Sequence, residues 1–216
     1  MTTPTRMTTT MQQLVDRAEA LASSGRRRLI GIVGAPGAGK STLSAALVSA
    51  LGADRVVVVP MDGFHLSNAE LERQGLRRVK GAVTTFDDGG YAALLRRLRD
   101  QQPGEVVYAP YFDRSLEESI GSAVRVEADV PLVITEGNYL LADTGAWPSA
   151  RAALDETWYL RTDDELRLAW LIARHVEFGK TPDEAEEWVM RSDEVNARFI
   201  ATTAHRADLV VDIGVG

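Results

Sequence analysis

The chain has 216 residues, 45% of them hydrophobic and 25% charged, which is room for one α/β domain with a proper core and too little for two. Its 24 Lys and Arg against 31 Asp and Glu leave a formal charge of −7, which argues against nucleic acid or an anionic membrane surface as the main partner. Without cysteine there is no disulfide framework, thiolate metal site or Cys nucleophile, as suits a reducing cytoplasm.

Residues 1–10 are Thr-rich, lack the apolar core of a signal peptide and read as an unstructured leader, with Met7 an equally good start. Residues 11–216 then read as one domain. Leu14, Val15, Ala18 and Leu21 recur at helical spacing, predicting an amphipathic helix over 11–22. Five short apolar runs follow along the chain: 29–33, 56–59, 132–134, 158–160 and 209–211. Each has the length and continuous apolarity of a strand buried on both faces. Weaker strand candidates lie at 106–108 and 124–126.

Helical patterns alternate with these runs. They cover 42–51, the Tyr91, Leu94, Leu95, Leu98 stripe after an expected turn at 87–90, 166–176, and the segment behind the capping box Thr181-Pro182-Asp183-Glu184. Strands alternating with helices imply crossover connections, hence a three-layer α/β fold around a mostly parallel sheet. The carboxyl ends of such strands share one edge, where ligands bind.

That edge would collect distinctive chemistry. Gly34, Ala35, Pro36, Gly37, Ala38, Gly39, Lys40 and Ser41, followed by Thr42, fit G-x-x-x-x-G-K-[ST] between a strand and a helix. Glycines let backbone N–H groups turn inward around phosphate, and the helix N-terminus adds its positive end. Lys40 would neutralise β/γ-phosphate oxygens, and Ser41 would offer its hydroxyl to Mg²⁺. A nucleoside triphosphate is the expected ligand. Asp62 ends the second apolar run, where it can accept a hydroxyl proton, help hold Mg²⁺, or simply make an Asp-Gly turn. Glu136 ends the third run and is a candidate Mg²⁺ ligand.

With Met61-Asp62-Gly63-Phe64-His65 and Glu136-Gly137-Asn138-Tyr139 added to the loop, the sequence resembles the P-loop kinases that include uridine kinase, phosphoribulokinase and type I pantothenate kinase. Lys80-Gly81-Ala82, Thr85-Phe86-Asp87, Tyr111-Phe112-Asp113-Arg114-Ser115 and Asn196-Ala197 make it most similar to a branch described as fructose-transport-system kinase or nucleoside/nucleotide kinase-like. The resemblance covers about residues 25–213. It implies a parallel five-stranded core sheet, a mobile helical lid and Mg²⁺- and ATP-dependent phosphorylation of a small-molecule hydroxyl. Asp62 would be the base, and Phe64, His65, Lys80, Tyr111, Asp113, Arg114 and Tyr139 the acceptor site. Arg174, in Arg174-His175-Val176-Glu177-Phe178-Gly179-Lys180, would act from the lid, with Arg161, Arg167 and Lys180 as further candidates. Phe112-Asp113-Arg114-Ser115 departs from the Tyr-Asp, His and Arg pattern of uridine kinases. Val79 and Val83 flank Lys80-Gly81-Ala82 where the nearer branch carries Arg and Pro. The acceptor is therefore left open among nucleoside, sugar and small hydroxy acid. The other reading is a regulatory P-loop NTPase with no small-molecule acceptor, against which stands the lack of an Asn-Lys-x-Asp base-recognition motif.

Overall fold

The computed structural model describes residues 5–7 and 10–213. Its first half holds β1 (Thr5–Met7), α1 (Met11–Ala22), β2 (Arg28–Gly34), α2 (Lys40–Leu51), β3 (Val56–Val58), α3 (Asn68–Arg73) and α4 (Asp88–Arg99). Then come β4 (Val106–Asp113), β5 (Glu118–Glu127), β6 (Leu132–Gly137), α5 (Trp147–Ala152) and β7 (Glu156–Thr162). The chain closes with α6 (Asp164–Glu177), α7 (Pro182–Trp188), α8 (Glu194–Thr203) and β8 (Leu209–Ile213).

Six parallel strands form the main sheet in the order β1-β8-β7-β2-β6-β3. The five expected from the apolar runs are its core. β1 is an addition at the edge, where a leader without structure was expected; residues 1–4 and 8–9 lie outside the described residues. Strand alternation builds both layers of the core. Ile30, Ile32, Leu132, Ile134, Trp158 and Leu160 face α1 and α2 through Leu14, Ala18, Leu43 and Leu47. Leu29, Val33, Val133 and Tyr159 face the other way, onto Tyr91 and Leu95 of α4, Trp147 of α5 and Ile200 of α8.

β4 and β5 form a separate antiparallel hairpin rather than joining the main sheet. Its register shifts between Ala109 and Tyr111. The segment 87–90, expected to be a turn, opens α4 instead: Asp87 caps the helix by accepting from the Gly90 N–H at 2.8 Å. The box at Thr181 and Glu184 closes reciprocally, as expected. Ser67 caps α3, but Glu70 turns to Arg73 and Gln74 instead of back to Ser67. Trp147 starts α5 and is buried with Trp158. Trp170 and Trp188 stand apart from the core, lining the cavity at the strand ends.

Candidate active site

A cavity of about 800 Å³ opens at the carboxyl ends of β2, β3 and β6. β2 sits between β6 and β7, and Ile32 pairs with Glu136, so the loop leaving β2 starts beside the end of β6. Gly37 and Gly39 adopt φ of +80° and +85°, the left-handed region open to glycine. A Cβ at Gly37 would stand 2.8 Å from the Arg167 carbonyl, so the loop and α6 approach as only glycine permits. From β7, Thr162 Oγ1 donates to the Ala38 carbonyl at 3.0 Å, pinning the loop from below.

Lys40 Nζ donates to the carbonyls of Gly34 (2.9 Å) and Ala35 (3.0 Å) and to Oδ1 of Asn138 (2.7 Å). Burial draws its ammonium down to about 8, while the carboxylates of Glu136 and Asp62 pull it up. Ser41 Oγ donates to Glu136 Oε1 at 2.8 Å. Burial pushes the Glu136 carboxyl up, opposed by Lys40 and by the Ser41 hydroxyl. Two residues at the end of β6, Glu136 and Asn138, thus hold two consecutive residues at the start of α2.

Asp62 lies in the 3₁₀ turn Met61–Phe64 that follows β3. Val59 N–H donates to the Ile134 carbonyl at 2.8 Å, and the Thr135 hydroxyl donates to the Val59 carbonyl at 2.6 Å while it meets Tyr91 Oη at 2.6 Å. This buried set of bonds fixes where the turn begins. Gly63 lets the turn press on β4, for a Cβ there would stand 2.4 Å from the Pro110 carbonyl. Arg114 Nη2 meets Asp62 Oδ2 at 3.3 Å across the cavity mouth.

His65 packs its ring between Phe86 and Phe112, with centroids 4.1 and 4.6 Å away, and its Nδ1 lies 2.8 Å from the Asp62 carbonyl. Burial lowers its pKa, opposed by the Asp62 carboxylate. Lys80 and Arg114 also line the cavity. The other four proposed acceptor residues do not. Tyr111 points outward, 49% exposed; Tyr139 is buried in the core with Oη donating to the Gly81 carbonyl at 2.6 Å. Phe64 packs against the core beside Tyr91, and Asp113 accepts from the Ser115 and Leu116 N–H groups in the hairpin turn.

Arg174, on α6, reaches the cavity, where burial and neighbouring Arg114 lower its pKa. Lys180 also reaches it, with Nζ 4.9 Å from the Trp188 ring centroid. Arg161 instead pairs with Asp212. Arg167 is buried and bridges Glu194, Asp164 and the Pro36 carbonyl (3.2 Å), so it braces the loop's outer wall. Asn138, Trp170, Trp188, Asp193 and Asn196 are cavity residues to which the sequence reading gave no part in the site. Asn138 stands two positions after Glu136, just past the end of β6, in the same short segment that brings Glu136 to the cavity. Asp193 lies in a π-helical turn, Val189–Asp193, and its Oδ2 accepts from His175 Nε2 at 2.9 Å. A widened turn of this kind leaves no periodic signal in a sequence.

The model of the Phosphoribulokinase / Uridine kinase family matches residues 29–215. A Schizosaccharomyces pombe protein provisionally named a uridine kinase is 35% identical over 209 residues, spanning 92% of this chain and 88% of the relative. Escherichia coli YggC is 32% identical over 192 residues, 87% of this chain and 78% of the relative. Among solved structures, a Silicibacter sp. TM1040 protein provisionally described as a fructose transport system kinase superposes with a TM-score of 0.83 at 37% identity, covering 94% of this chain and 98% of the other. Among the described residues, no helix is long and apolar enough to cross a membrane. The loop, the cavity and these likenesses agree, and the chain belongs to the Phosphoribulokinase / Uridine kinase family of P-loop small-molecule kinases.

Proposed function

We propose that the chain transfers the γ-phosphate of ATP to a hydroxyl of a small molecule, a nucleoside, a sugar or a small hydroxy acid, with Mg²⁺ required and Asp62 as general base. The observation that carries this reading is convergence: the glycine loop, Asp62 and Glu136 line one cavity although they leave three different strands. Gly34 to Thr42 would hold the triphosphate, with Lys40 exchanging its three oxygen partners for phosphate oxygens. The donor set suits a hard divalent cation: the Ser41 hydroxyl and the Glu136 carboxylate already touch, and both are the oxygen ligands Mg²⁺ takes. Asp62, on the same cavity, is the third candidate ligand. Bound there, Mg²⁺ would neutralise charge on the phosphates.

The remaining work falls to side chains. Asp62 would take the proton of the acceptor hydroxyl as its oxygen bonds to the γ-phosphorus and the bond to the β,γ-bridging oxygen breaks, releasing ADP. Arg174 and Lys180 would cover the transferring group and keep water away. The lack of cysteine favours a reducing compartment such as the cytoplasm.

ADP release coupled to a panel of nucleosides, sugars, sugar phosphates and hydroxy acids, with Mg²⁺ and then with excess chelator, tests the reading. Acceptor-dependent release that vanishes with chelator is expected. ATP consumption that no acceptor stimulates would point to the regulatory NTPase instead.

A further inference from the structure

Arg77 and Lys80, two cations on the cavity that holds Asp62, form no ion pair among the described residues. Lys80 is only 8% exposed, yet its ammonium forms no ion pair among the described residues. It donates to Asn68 Oδ1 at 2.7 Å and to the Glu117 carbonyl, and lies 5.0 Å from the Phe112 ring centroid. A lysine has three donors, so one is left without a protein acceptor. Three residues earlier, Arg77 is half-buried on the same cavity, and its guanidinium has no hydrogen bond or ion pair among the described residues. The 3₁₀ turn Arg77–Val79 holds the two cations close enough that Arg77 disfavours the charge on Lys80. Burial is the main cause that lowers the Lys80 pKa, opposed by Glu118 and Glu117, with Arg77 a smaller contribution in the same direction as burial.

Burying a charge with no carboxylate in direct contact is costly, even with Glu117 and Glu118 acting at longer range, and a second cation nearby adds to that cost. An anion arriving from outside removes both penalties. This anion is not the triphosphate, whose cradle lies at the start of α2 with Lys40 and Ser41. Building on the kinase reading above, we infer that Arg77 and Lys80 form a subsite for an anionic group, a phosphate monoester or a carboxylate, carried by the acceptor molecule itself. The acceptor then presents a hydroxyl to Asp62 and an anion to Arg77 and Lys80. A neutral nucleoside or free sugar leaves those cations unmatched and is the poorer substrate.

Because Lys80 also ties Asn68 to the hairpin, Arg77→Gln is the primary variant and Lys80→Met the second, kept only if its melting temperature is unchanged. The full chain is saturated with Mg²⁺ and a non-hydrolysable ATP analogue, so that the phosphate loop is filled, and titrated with inorganic phosphate and with acetate. Binding of either ion to the wild type, weakened about tenfold or more in Arg77→Gln while the ATP analogue binds equally well to both, supports the inference. Phosphate bound more tightly than acetate assigns a phosphate monoester, and the reverse assigns a carboxylate. No binding, or equal binding to wild type and variant, overturns it. Failure of the wild type to bind the ATP analogue would instead count against the kinase reading. Turnover makes the same division: among matched pairs such as ribose and ribose 5-phosphate, or glycerol and glycerate, the anionic member should be preferred. With that member, Arg77→Gln should raise KM about tenfold and leave kcat within about twofold. Preference for the neutral member of every pair refutes the subsite.

Discussion

Arg114 and Asp62, 52 residues apart in the chain, meet at 3.3 Å across the cavity mouth and join the hairpin to the turn after β3. Both side chains are more than a third exposed, at 44% and 36%, so the pair adds little to stability. On the proposed reading its value would be in aim: the guanidinium holds one carboxylate oxygen and would leave the other for an acceptor hydroxyl. Asp62→Asn should lower kcat about 10²- to 10⁴-fold, the usual contribution of a general base, with ATP-analogue affinity changed less than about threefold. Rapid-quench transfer and calorimetric binding separate the two. An Asp62→Asn enzyme with full transfer would remove the residue from the chemistry.

Lys40 gives the site a pH dependence opposite to that of the fold. Its pKa falls from 10.5 in water to about 8 in the folded chain, so between those values the unfolded chain binds more protons. This group therefore makes stability rise with pH through that window. Its ammonium, which phosphate needs, disappears over the same window. ATP-analogue affinity should fall roughly tenfold from pH 7 to pH 9, following the loss of the protonated fraction around a pKa of 8. Lys40→Arg should flatten the curve, since guanidinium stays charged.

Arg167 and Arg174 are two turns apart on α6 but should fail in different ways. Arg167→Ala strips Glu194 and the Pro36 carbonyl of a buried partner. A loss of about 2–4 kcal/mol is expected, seen as a melting temperature lower by roughly 5–12 °C. Arg174 makes no side-chain hydrogen bond among the described residues, so Arg174→Ala should leave melting within about 2 °C while transfer falls by about tenfold or more. Scanning calorimetry beside a transfer assay distinguishes them.

Gly63→Ala tests the seat of Asp62. The added Cβ falls 2.4 Å from the Pro110 carbonyl, a backbone atom that cannot rotate away. The turn must lift off β4, at about 1–3 kcal/mol, and carry Asp62 with it. Both kcat and melting temperature should drop, whereas Gly121→Ala, which meets open space, should change neither.

What could be read from residue order, and what could not, divides along one line. The glycine loop, Asp62 and Glu136 were legible because a parallel sheet sends the end of every strand to one edge, whatever the packing details. Tyr111 and Asp113 were misplaced because the register shift between Ala109 and Tyr111 inverts the hairpin's alternation: Val107 and Ala109 face inward, but so does Phe112, one step out of phase. Tyr139 follows a readable motif, yet its hydroxyl is taken by Gly81, 58 residues away, a pairing no local pattern announces. Arg167 and Arg174 share spacing and face; only the contact with Glu194 of α8 marks Arg167 as the brace. The strand Thr5–Met7 escaped notice because a short polar segment at a sheet edge has no need of apolar periodicity.

The grip of β6 on α2 has a further consequence. Lys40 and Ser41 are held by four bonds to the chain's own oxygens, from Gly34, Ala35, Asn138 and Glu136. A newcomer must outcompete these before it can settle. A lone weak anion would gain little by displacing them, while a ligand offering several oxygens at once would replace them in a single exchange. On the proposed reading, the resting molecule would be its own gatekeeper, favouring visitors that bring several oxygens together.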